Sequence, residues 1–237
     1  MNAPVLLMVE KRESLLWLRL NRPEKANALT AGLMEEIAAA LSGAAADESV
    51  RAVLLTGTGE RVFCAGADVR EQPADGNVTA HRKRRSAGLA ALQDAVIECP
   101  KPVVVVLNGI ASGGGAMVAL LGDARVAVDS AALSLPEINL PSATFIGAAI
   151  VEHVAGPLLA ADLVQTGRRM QMSEALARGL VNAVVLRNEL EAAATNLASE
   201  LAGKDPRAFA AQKQWLNRRL KPLLAEARAA QAAYVRH

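Results

Sequence analysis

A run of small residues between a buried strand and an apolar helix constrains this chain more than any other feature. Val103 to Leu107 are five consecutive apolar residues, which is typical of a strand buried on both faces. The turn Asn108-Gly109 follows, and Gly113-Gly114-Gly115 then runs directly into the apolar segment from Ala116 to Leu121. Glycines weaken regular elements, so three in succession indicate that the backbone approaches something closely. Because partial positive charge collects at a helix N-terminus, we expect this stretch to bind a group that has or develops negative charge.

Length and composition limit the class of protein. A chain of 237 residues fits one large domain, or one domain with a helical appendage. It is 52% hydrophobic with a mean hydropathy of +0.21, yet it contains no run of about 20 apolar residues, so we expect no membrane span. The excess apolar surface is better explained by burial between subunits. A net charge of +2 argues against a dedicated nucleic-acid binder.

The two cysteines and the N-terminus bear on the compartment. Cys64 and Cys99 form neither a disulfide framework nor a metal motif, and both lie in apolar segments. We expect them to be reduced core residues. The first residues lack the charged, apolar and small-residue pattern of an export signal, so a cytoplasmic protein is expected.

Strands and helices are predicted to alternate along most of the chain, which indicates the α/β class. The predicted strands are 5–9, 15–20, 51–55, 62–64, 103–107, 124–128 and 181–185. The main predicted helices are 31–46, 79–98, 116–121 and one starting near 145, and the chain is helical in pattern from 188 onward. By this pattern the last part has no sheet left to cover, so it is expected to pack on a neighbouring subunit or over its own site.

Several short segments, taken together and in this order, resemble the crotonase superfamily, the enoyl-CoA hydratase/isomerase family. The segments are Asn21-Arg22-Pro23 with Asn27-Ala28-Leu29, Phe63 to Asp68, Asn108 to Gly115, Leu135-Pro136-Glu137, Gly167-Arg168 and Ala175 to Val181. The resemblance implies a crotonase (Clp-protease-like) fold, in which stacked ββα turns form two roughly perpendicular sheets. It further implies a core over 1–187 with a coenzyme A site, and a helical region over 188–237 for oligomerisation and site cover. A homotrimer or a dimer of trimers is the expected assembly.

The resemblance also implies a site for an acyl-CoA thioester, with coenzyme A as part of the substrate and no separate cofactor or metal. The thioester oxygen would lie between the backbone N–H groups of Ala67 and Gly114, an arrangement suited to stabilising an enolate. The residues implied to bind coenzyme A and substrate are Pro23, Lys25, Ala26, Ala28, Ala65, Gly66, Ala67, Asp68, Gly113 and Gly114. We expect the Asp68 carboxylate to bond local backbone groups and to take no part in the chemistry.

The acid–base residues are where the chain departs from the family pattern. Hydratases of the family have one glutamate two residues after the third glycine and another in the proline-glutamate loop. Here the first position is Met117, which cannot transfer a proton, and the second is Glu137. One carboxylate is enough to move a double bond by taking a proton from one carbon and returning it to another. The pattern therefore favours enoyl-CoA isomerisation, with hydration by water and a non-standard acid as the alternative.

Other classes of function stay open at this stage. Ser112 in Ala-Ser-Gly-Gly could be a hydrolase nucleophile, although a serine needs a base and Lys101 lies at the start of the strand. A protein that binds CoA esters and catalyses weakly is a further possibility, since Met117 replaces a carboxylate. The spacing of the glycines excludes a dinucleotide fingerprint and a P-loop.

The role of the basic cluster at 81–85 is open. It contains His81, Arg82, Lys83, Arg84 and Arg85. Such a cluster is usually a solvated helix face. Alternatively, an arginine meets the coenzyme A phosphates and His81 acts as a second proton carrier. Lys213 is interpreted as a surface residue or a nucleotide contact, Trp215 as a core residue, and the stripe Met170, Met172 and Leu176 as core.

Overall fold

A computed structural model describes residues 5–73, 76–140 and 142–234. Parts of the loops that the sequence pattern predicts at 72–77 and 137–142, and both chain ends, lie outside these residues. The strands are β1 (Leu7–Arg12), β2 (Leu15–Leu20), β3 (Ala52–Gly57), β4 (Val62–Cys64), β5 (Val103–Leu107), β6 (Ile110–Ser112), β7 (Ala124–Val128), β8 (Ala132–Ser134), β9 (Arg169–Gln171) and β10 (Ala183–Val185). The helices are α1 (Ala31–Ala46), α2 (Val78–Glu98), α3 (Gly114–Leu121), α4 (Phe145–Ala155), α5 (Pro157–Thr166), α6 (Met172–Ala177), α7 (Leu190–Ala202), α8 (Pro206–Leu216) and α9 (Leu220–Tyr234).

The strands form two sheets. A six-stranded sheet has the order β1-β2-β3-β5-β7-β10, and only its β1–β2 pair is antiparallel. A four-stranded sheet has the order β4-β6-β8-β9, with an antiparallel pair only between β8 and β9. All five residues of β5 are buried, as expected for a central parallel strand covered on both faces. The predicted α/β class with two sheets is confirmed.

Strong local patterns predicted the elements best. The bounds of β2, β4, β5, β7 and α1 agree with the predictions. The predicted strand 5–9 is displaced, because β1 begins at Leu7 and continues through Lys11 and Arg12. The strands β6, β8 and β9 were missed, since three residues are too few to show a strand's alternation of apolar and polar positions.

The C-terminal region does pack on the sheet, contrary to the sequence-based expectation. Helix α7 packs across β3, β5 and β7 and buries Ala194 and Ala198 against them. Helix α9 packs on α4, and so covers another part of the same chain. The expectation that the helical region has no sheet to cover is therefore wrong for α7. The division of the chain at residue 187 stays a prediction.

The core contains both cysteines, and both are free thiols. Complete burial raises the pKa of the Cys64 thiol to about 12, so this sulfur packs as an apolar group. Met170 and Met172 are buried as predicted, whereas Leu176 is exposed. None of the helices in the part of the chain that the structure describes is both long and apolar enough to cross a membrane.

Candidate active site

Two small-residue turns meet backbone to backbone. One follows β4 and contains Gly66, and the other joins β6 to α3. Gly66 has a φ of +93°, and a Cβ added to it would lie 2.8 Å from the Ser112 oxygen and 3.0 Å from the Gly114 nitrogen. A side chain of any size would therefore separate the turns. The glycine is required both for its conformation and for this close approach.

The predicted oxyanion donors are brought together at this contact. Gly114 is the first residue of α3, so its N–H group has no partner within the helix. Leu29 bridges to Ala67 by donating to the Gly66 oxygen and accepting from the Asp68 nitrogen, which leaves the Ala67 N–H group outside the ladder. A Cβ added to Gly114 would lie 3.6 Å from the Ala67 nitrogen. Within the described residues neither N–H group has a protein acceptor, so both are available to a ligand oxygen.

The Glu137 carboxyl group lies against the same glycine turn. Glu137 belongs to a short 3-10 helix, Pro136–Asn139, which directly follows β8 and Leu135. Its Oε1 atom lies 3.1 Å from the position of a Cβ on Gly113, so a side chain at Gly113 would crowd the carboxyl group. Its Oε2 atom is buried and, in the described structure, has no hydrogen-bond partner. Burial raises the pKa of Glu137 above its ordinary value, which makes the ionised carboxylate a stronger base than an exposed glutamate.

Met117 lies at the first of the two glutamate positions that the family resemblance implies for hydratases. It is 5% exposed, and its Sδ atom accepts a hydrogen bond from Gln93 Nε2 at 3.8 Å. Its Cε atom lies 3.1 Å from the position of a Cβ on Gly147, so the methyl group occupies a notch in α4. Gln93 is itself fully buried and accepts a hydrogen bond from Arg228 of α9. Position 117 is thus a packed, non-ionisable wall.

A groove of about 660 Å³ extends from the Ala67 turn along the loop after β2. Its lining includes six of the residues predicted to bind coenzyme A and substrate: Lys25, Ala26, Ala28, Ala65, Ala67 and Asp68. Pro23 opens the 3-10 turn that contains Lys25. Among the described residues, no cluster of histidine, cysteine or acidic side chains could hold a metal ion.

The sequence did not reveal the ionic contacts around this groove. Asp68 accepts hydrogen bonds from both terminal nitrogens of Arg22 at 3.1 Å, and its backbone oxygen accepts one from Arg85. Asp68 Oδ1 also accepts from the Arg70 backbone N–H group at 3.1 Å, which is the local backbone contact that was expected. Arg84, by contrast, pairs with Glu35 of α1, and both side chains are more than half exposed.

Helix α2 presents one side to the site, and this fixes the orientation that the sequence left open. His81, Arg85, Leu89 and Gln93 recur every four residues along it. His81 Nε2 lies 3.3 Å from Glu71 Oε2, on a carboxylate that lines the groove. Leu89 lies 3.5 Å from the position of a Cβ on Gly114. The side of α2 that begins at His81 is therefore a wall of the site.

The remaining candidates have structural partners. Ser112 Oγ accepts a hydrogen bond from Ser134, while the Lys101 ammonium group donates to the backbone oxygens of Ala44 and Asp47. Lys101 is thus held by α1 and the residue after it and does not act as a base for Ser112. Lys213 was interpreted as a surface residue or nucleotide contact, which is wrong, because it is 4% exposed and pairs with Asp123 at 2.7 Å. Trp215 was interpreted as a core residue and is 65% exposed.

Comparison with known proteins agrees with this geometry. The family profile described as enoyl-CoA hydratase/isomerase matches residues 10–237. The carnitinyl-CoA dehydratase of Proteus mirabilis is 35% identical over 209 residues, covering 88% of this chain and 78% of its own length. The short-chain-enoyl-CoA hydratase of Clostridium acetobutylicum is 33% identical over 213 residues, covering 90% and 81% respectively.

A solved structure extends the similarity to three dimensions. The crystal structure of an enoyl-CoA hydratase from Bacillus anthracis superimposes with a TM-score of 0.83 at 31% identity, covering 94% of this chain and 89% of the other. The family profile spans nearly the whole chain, and the fold and the paired turns agree with it. The chain therefore belongs to the enoyl-CoA hydratase/isomerase family of the crotonase superfamily, enzymes that act on CoA thioesters.

Proposed function

We propose that this enzyme shifts the double bond of an enoyl-CoA, with Glu137 as its only proton carrier. The observation on which this depends is the Glu137 carboxyl group, whose buried Oε2 atom lacks a partner beside the paired turns. A carboxylate with a raised pKa next to two free N–H groups suits proton abstraction from the carbon adjacent to a thioester.

The proposed reaction proceeds through an enolate. Glu137 removes a proton from C2 of a 3-enoyl-CoA, and the negative charge moves to the thioester oxygen. The N–H groups of Ala67 and Gly114 donate to that oxygen, where one such donor is worth about 3–4 kcal/mol of transition-state stabilisation. The protonated Glu137 then returns the proton to C4, which leaves the double bond conjugated with the thioester. Each proton that leaves the substrate returns to it.

Hydration is the second candidate, because the names of the relatives favour it. Two of the similar proteins are named a dehydratase and a hydratase. Adding water requires one group to activate the water and a source for the second proton. Met117 supplies neither, because a thioether can neither take nor give a proton. His81 beside Glu71 would be the candidate for a substitute acid in that case.

The test offers 3-enoyl-CoA and trans-2-enoyl-CoA of several chain lengths to the wild type and to Glu137→Gln. We expect interconversion of the two isomers by the wild type and a loss of at least about 100-fold in kcat for Glu137→Gln. The exposed Glu226 provides a control, since Glu226→Gln removes a carboxylate of α9 and should retain wild-type turnover. If the wild type converts neither isomer, or Glu137→Gln converts both as well as the wild type, the proposal is wrong.

Isotope transfer tests the single-carboxylate step directly. A 3-enoyl-CoA carrying deuterium at C2 should yield a product with part of that deuterium at C4, because one carboxyl group moves the label between the two carbons. A product in which all hydrogen at C4 comes from solvent would indicate two separate groups or rapid exchange. The product mixture also reveals hydration, as a 3-hydroxyacyl-CoA.

The two non-isomerase classes give different results. A serine hydrolase would release free coenzyme A, lose activity in Ser112→Ala and be labelled by a serine-directed acylating probe. We expect none of these, since Ser112 accepts from Ser134 and Lys101 donates to the Ala44 and Asp47 oxygens instead. A CoA-binding protein without catalysis would bind acyl-CoA and convert neither isomer.

Assembly as a trimer or dimer of trimers, and a cytoplasmic location, belong to the same proposal. Exposed apolar side chains on the C-terminal helices, such as Trp215 and Leu216 of α8, are consistent with a subunit interface. Sedimentation of a stable monomer at working concentration would contradict the assembly.

A further inference from the structure

The proposed mechanism uses the Ala67 N–H group but leaves unexplained the half-buried ion pair beside it. The side chains of Arg22 and Asp68 are 13% and 14% exposed, and both Arg22 terminal nitrogens lie 3.1 Å from Asp68 Oδ2. Two charged groups held at this depth are costly unless each has several partners. The partners of Arg22 are therefore informative.

Arg22 is also hydrogen-bonded to the loop that forms one side of the groove. Its Nη1 atom donates to the Ala28 oxygen, and its backbone N–H group donates to Asn27 Oδ1 at 3.0 Å. Asn27 is fully buried with a φ of +52°, and its amide donates to the oxygens of Thr58 and Val62. The guanidinium is thus anchored at a defined place relative to Ala28.

Two planar peptide groups connect Arg22 to the oxyanion donor. The Ala28 oxygen that accepts from Arg22 belongs to the same peptide as the Leu29 N–H group. Leu29 N–H donates to the Gly66 oxygen at 2.8 Å, and that oxygen belongs to the same peptide as the Ala67 N–H group. Because a trans peptide holds its C=O and N–H in opposite directions, each bond fixes the direction of the next donor. A charge at one end also polarises a chain of hydrogen bonds toward the other end.

We propose that Arg22, with Asp68 as its counter-ion, is a positioning residue for the Ala67 oxyanion donor. It acts through the Ala28–Leu29 and Gly66–Ala67 peptides, so that its positive charge both orients the Ala67 N–H group and strengthens it as a donor. This inference rests on the proposed role of Ala67. Arg85 of α2 supports the arrangement by donating to the Asp68 oxygen at 3.1 Å.

The test compares Arg22→Gln and Arg22→Lys with Arg84→Gln. Arg84→Gln is the matched control, because it removes an arginine from an exposed ion pair with Glu35. We expect Arg22→Gln to lower kcat about 10-fold while changing KM by less than about 3-fold, since a displaced donor affects the transition state most. Arg22→Lys, which keeps the charge, should recover part of the loss, and Arg84→Gln should match the wild type.

A spectroscopic readout separates this role from simple binding, since Arg22 also lines the groove. The absorbance of a bound dienoyl-CoA moves to longer wavelength when its thioester oxygen accepts strong hydrogen bonds. Arg22→Gln should reduce that shift at saturating ligand. A weaker affinity for free coenzyme A with an unchanged shift would instead make Arg22 a coenzyme A contact and overturn the proposal.

A second variant and a readout that does not need turnover cover the cases in which the first test fails. If Arg22→Gln does not fold, Asp68→Asn removes the counter-ion and should give a smaller reduction of the same shift; an unchanged shift in that variant would likewise overturn the proposal. If the wild type proves inactive on both enoyl-CoA isomers, the proposed function fails, but the absorbance of bound dienoyl-CoA still measures the effect of Arg22.

Discussion

Gly115 packs directly on the backbone of Cys64. A Cβ added to Gly115 would lie 2.4 Å from the Cys64 oxygen and 2.7 Å from the Cys64 Cβ atom. The start of α3 is therefore held against the end of β4 without any intervening side chain. This contact determines the separation of the two turns that contain Ala67 and Gly114.

Replacing Gly115 by alanine should force these turns apart. We expect Gly115→Ala to destabilise the protein by about 1–3 kcal/mol, as overpacking of a core does, and to lower kcat more than it changes KM. Gly43→Ala is the control, because Gly43 is an exposed glycine in α1 with no atom within 4 Å of an added Cβ. That substitution should stabilise the helix by about 0.5–1 kcal/mol. Urea unfolding and steady-state kinetics measure both effects, and equal behaviour of the two variants would contradict the packing argument.

The raised pKa of Glu137 should appear in the pH dependence of activity. Glu137 must be ionised to accept a proton, so kcat/KM should rise with pH along an acidic limb whose midpoint lies above the ordinary glutamate value of 4.5. Rates measured over a pH series, with the enzyme's stability checked at each pH, locate this midpoint. A midpoint at or below the ordinary value would contradict the inference that burial of Glu137 in the free enzyme raises its pKa.

Glu137 should make the protein less stable as the pH rises, whereas most carboxylates in folded proteins have the opposite effect. Because burial raises the pKa of Glu137 in the folded state, the folded protein binds more protons than the unfolded chain between the two pKa values. The contribution to the unfolding free energy is therefore present at low pH and is lost as the pH rises through the folded pKa. Glu137→Gln should be more stable than the wild type at about pH 8 and similar to it at about pH 4. Urea unfolding at both pH values measures this, and a variant less stable at the higher pH would contradict it.

Restoring a carboxylate at position 117 should increase hydration. In Met117→Glu the Gln93 amide, which now donates to sulfur, would donate to the new carboxylate. We expect conversion of trans-2-enoyl-CoA to 3-hydroxyacyl-CoA to appear or rise sharply, because a second acid–base group is then present. Met117→Gln has nearly the same size without the charge and is the control. Equal hydration by the two variants would show that position 117 does not limit the chemistry.

The buried pair of Lys213 and Asp123 should matter for stability. Their side chains are 3% and 15% exposed, and removing one partner of such a pair leaves an uncompensated charge. Lys213→Met should therefore lower the free energy of unfolding by about 3–5 kcal/mol. Lys221→Met, which removes an exposed pair with Glu98, should cost less than about 1 kcal/mol. Adding Asp123→Asn to Lys213→Met should recover part of the loss, and no recovery would show that the cost comes from packing.

The sequence predicts the parts of this structure that local patterns determine. Five apolar residues in β5 and the Thr30 cap of α1, which accepts from the Leu33 nitrogen, identify those elements with their bounds. The glycine triplet likewise predicts a turn with free N–H groups. The closeness of Ala67 and Gly114 was implied only by the family resemblance, because it results from a contact between segments about 47 residues apart in the chain.

Partners distant in sequence explain what was missed. Lys213 is buried because Asp123 lies beneath it, 90 residues earlier. No local pattern identifies that partner. On residue type alone, Trp215 would be placed in the core and Lys213 at the surface of this helix, which is the reverse of what the structure has. The direction faced by His81 and Arg85 depends on how α2 turns about its axis, which packing against α1 and α3 sets.

Helix α9 connects α2 to the start of α4. Arg228 of α9 binds Gln93 and Asp94 of α2, and three residues later Gln231 binds the Ala143 oxygen and the Phe145 nitrogen at the start of α4. One turn of α9 thus spans the two helices between which Met117 is packed. Substitutions at Arg228 or Gln231 can therefore shift α2 and α4 relative to Met117 without changing a residue that lines the groove.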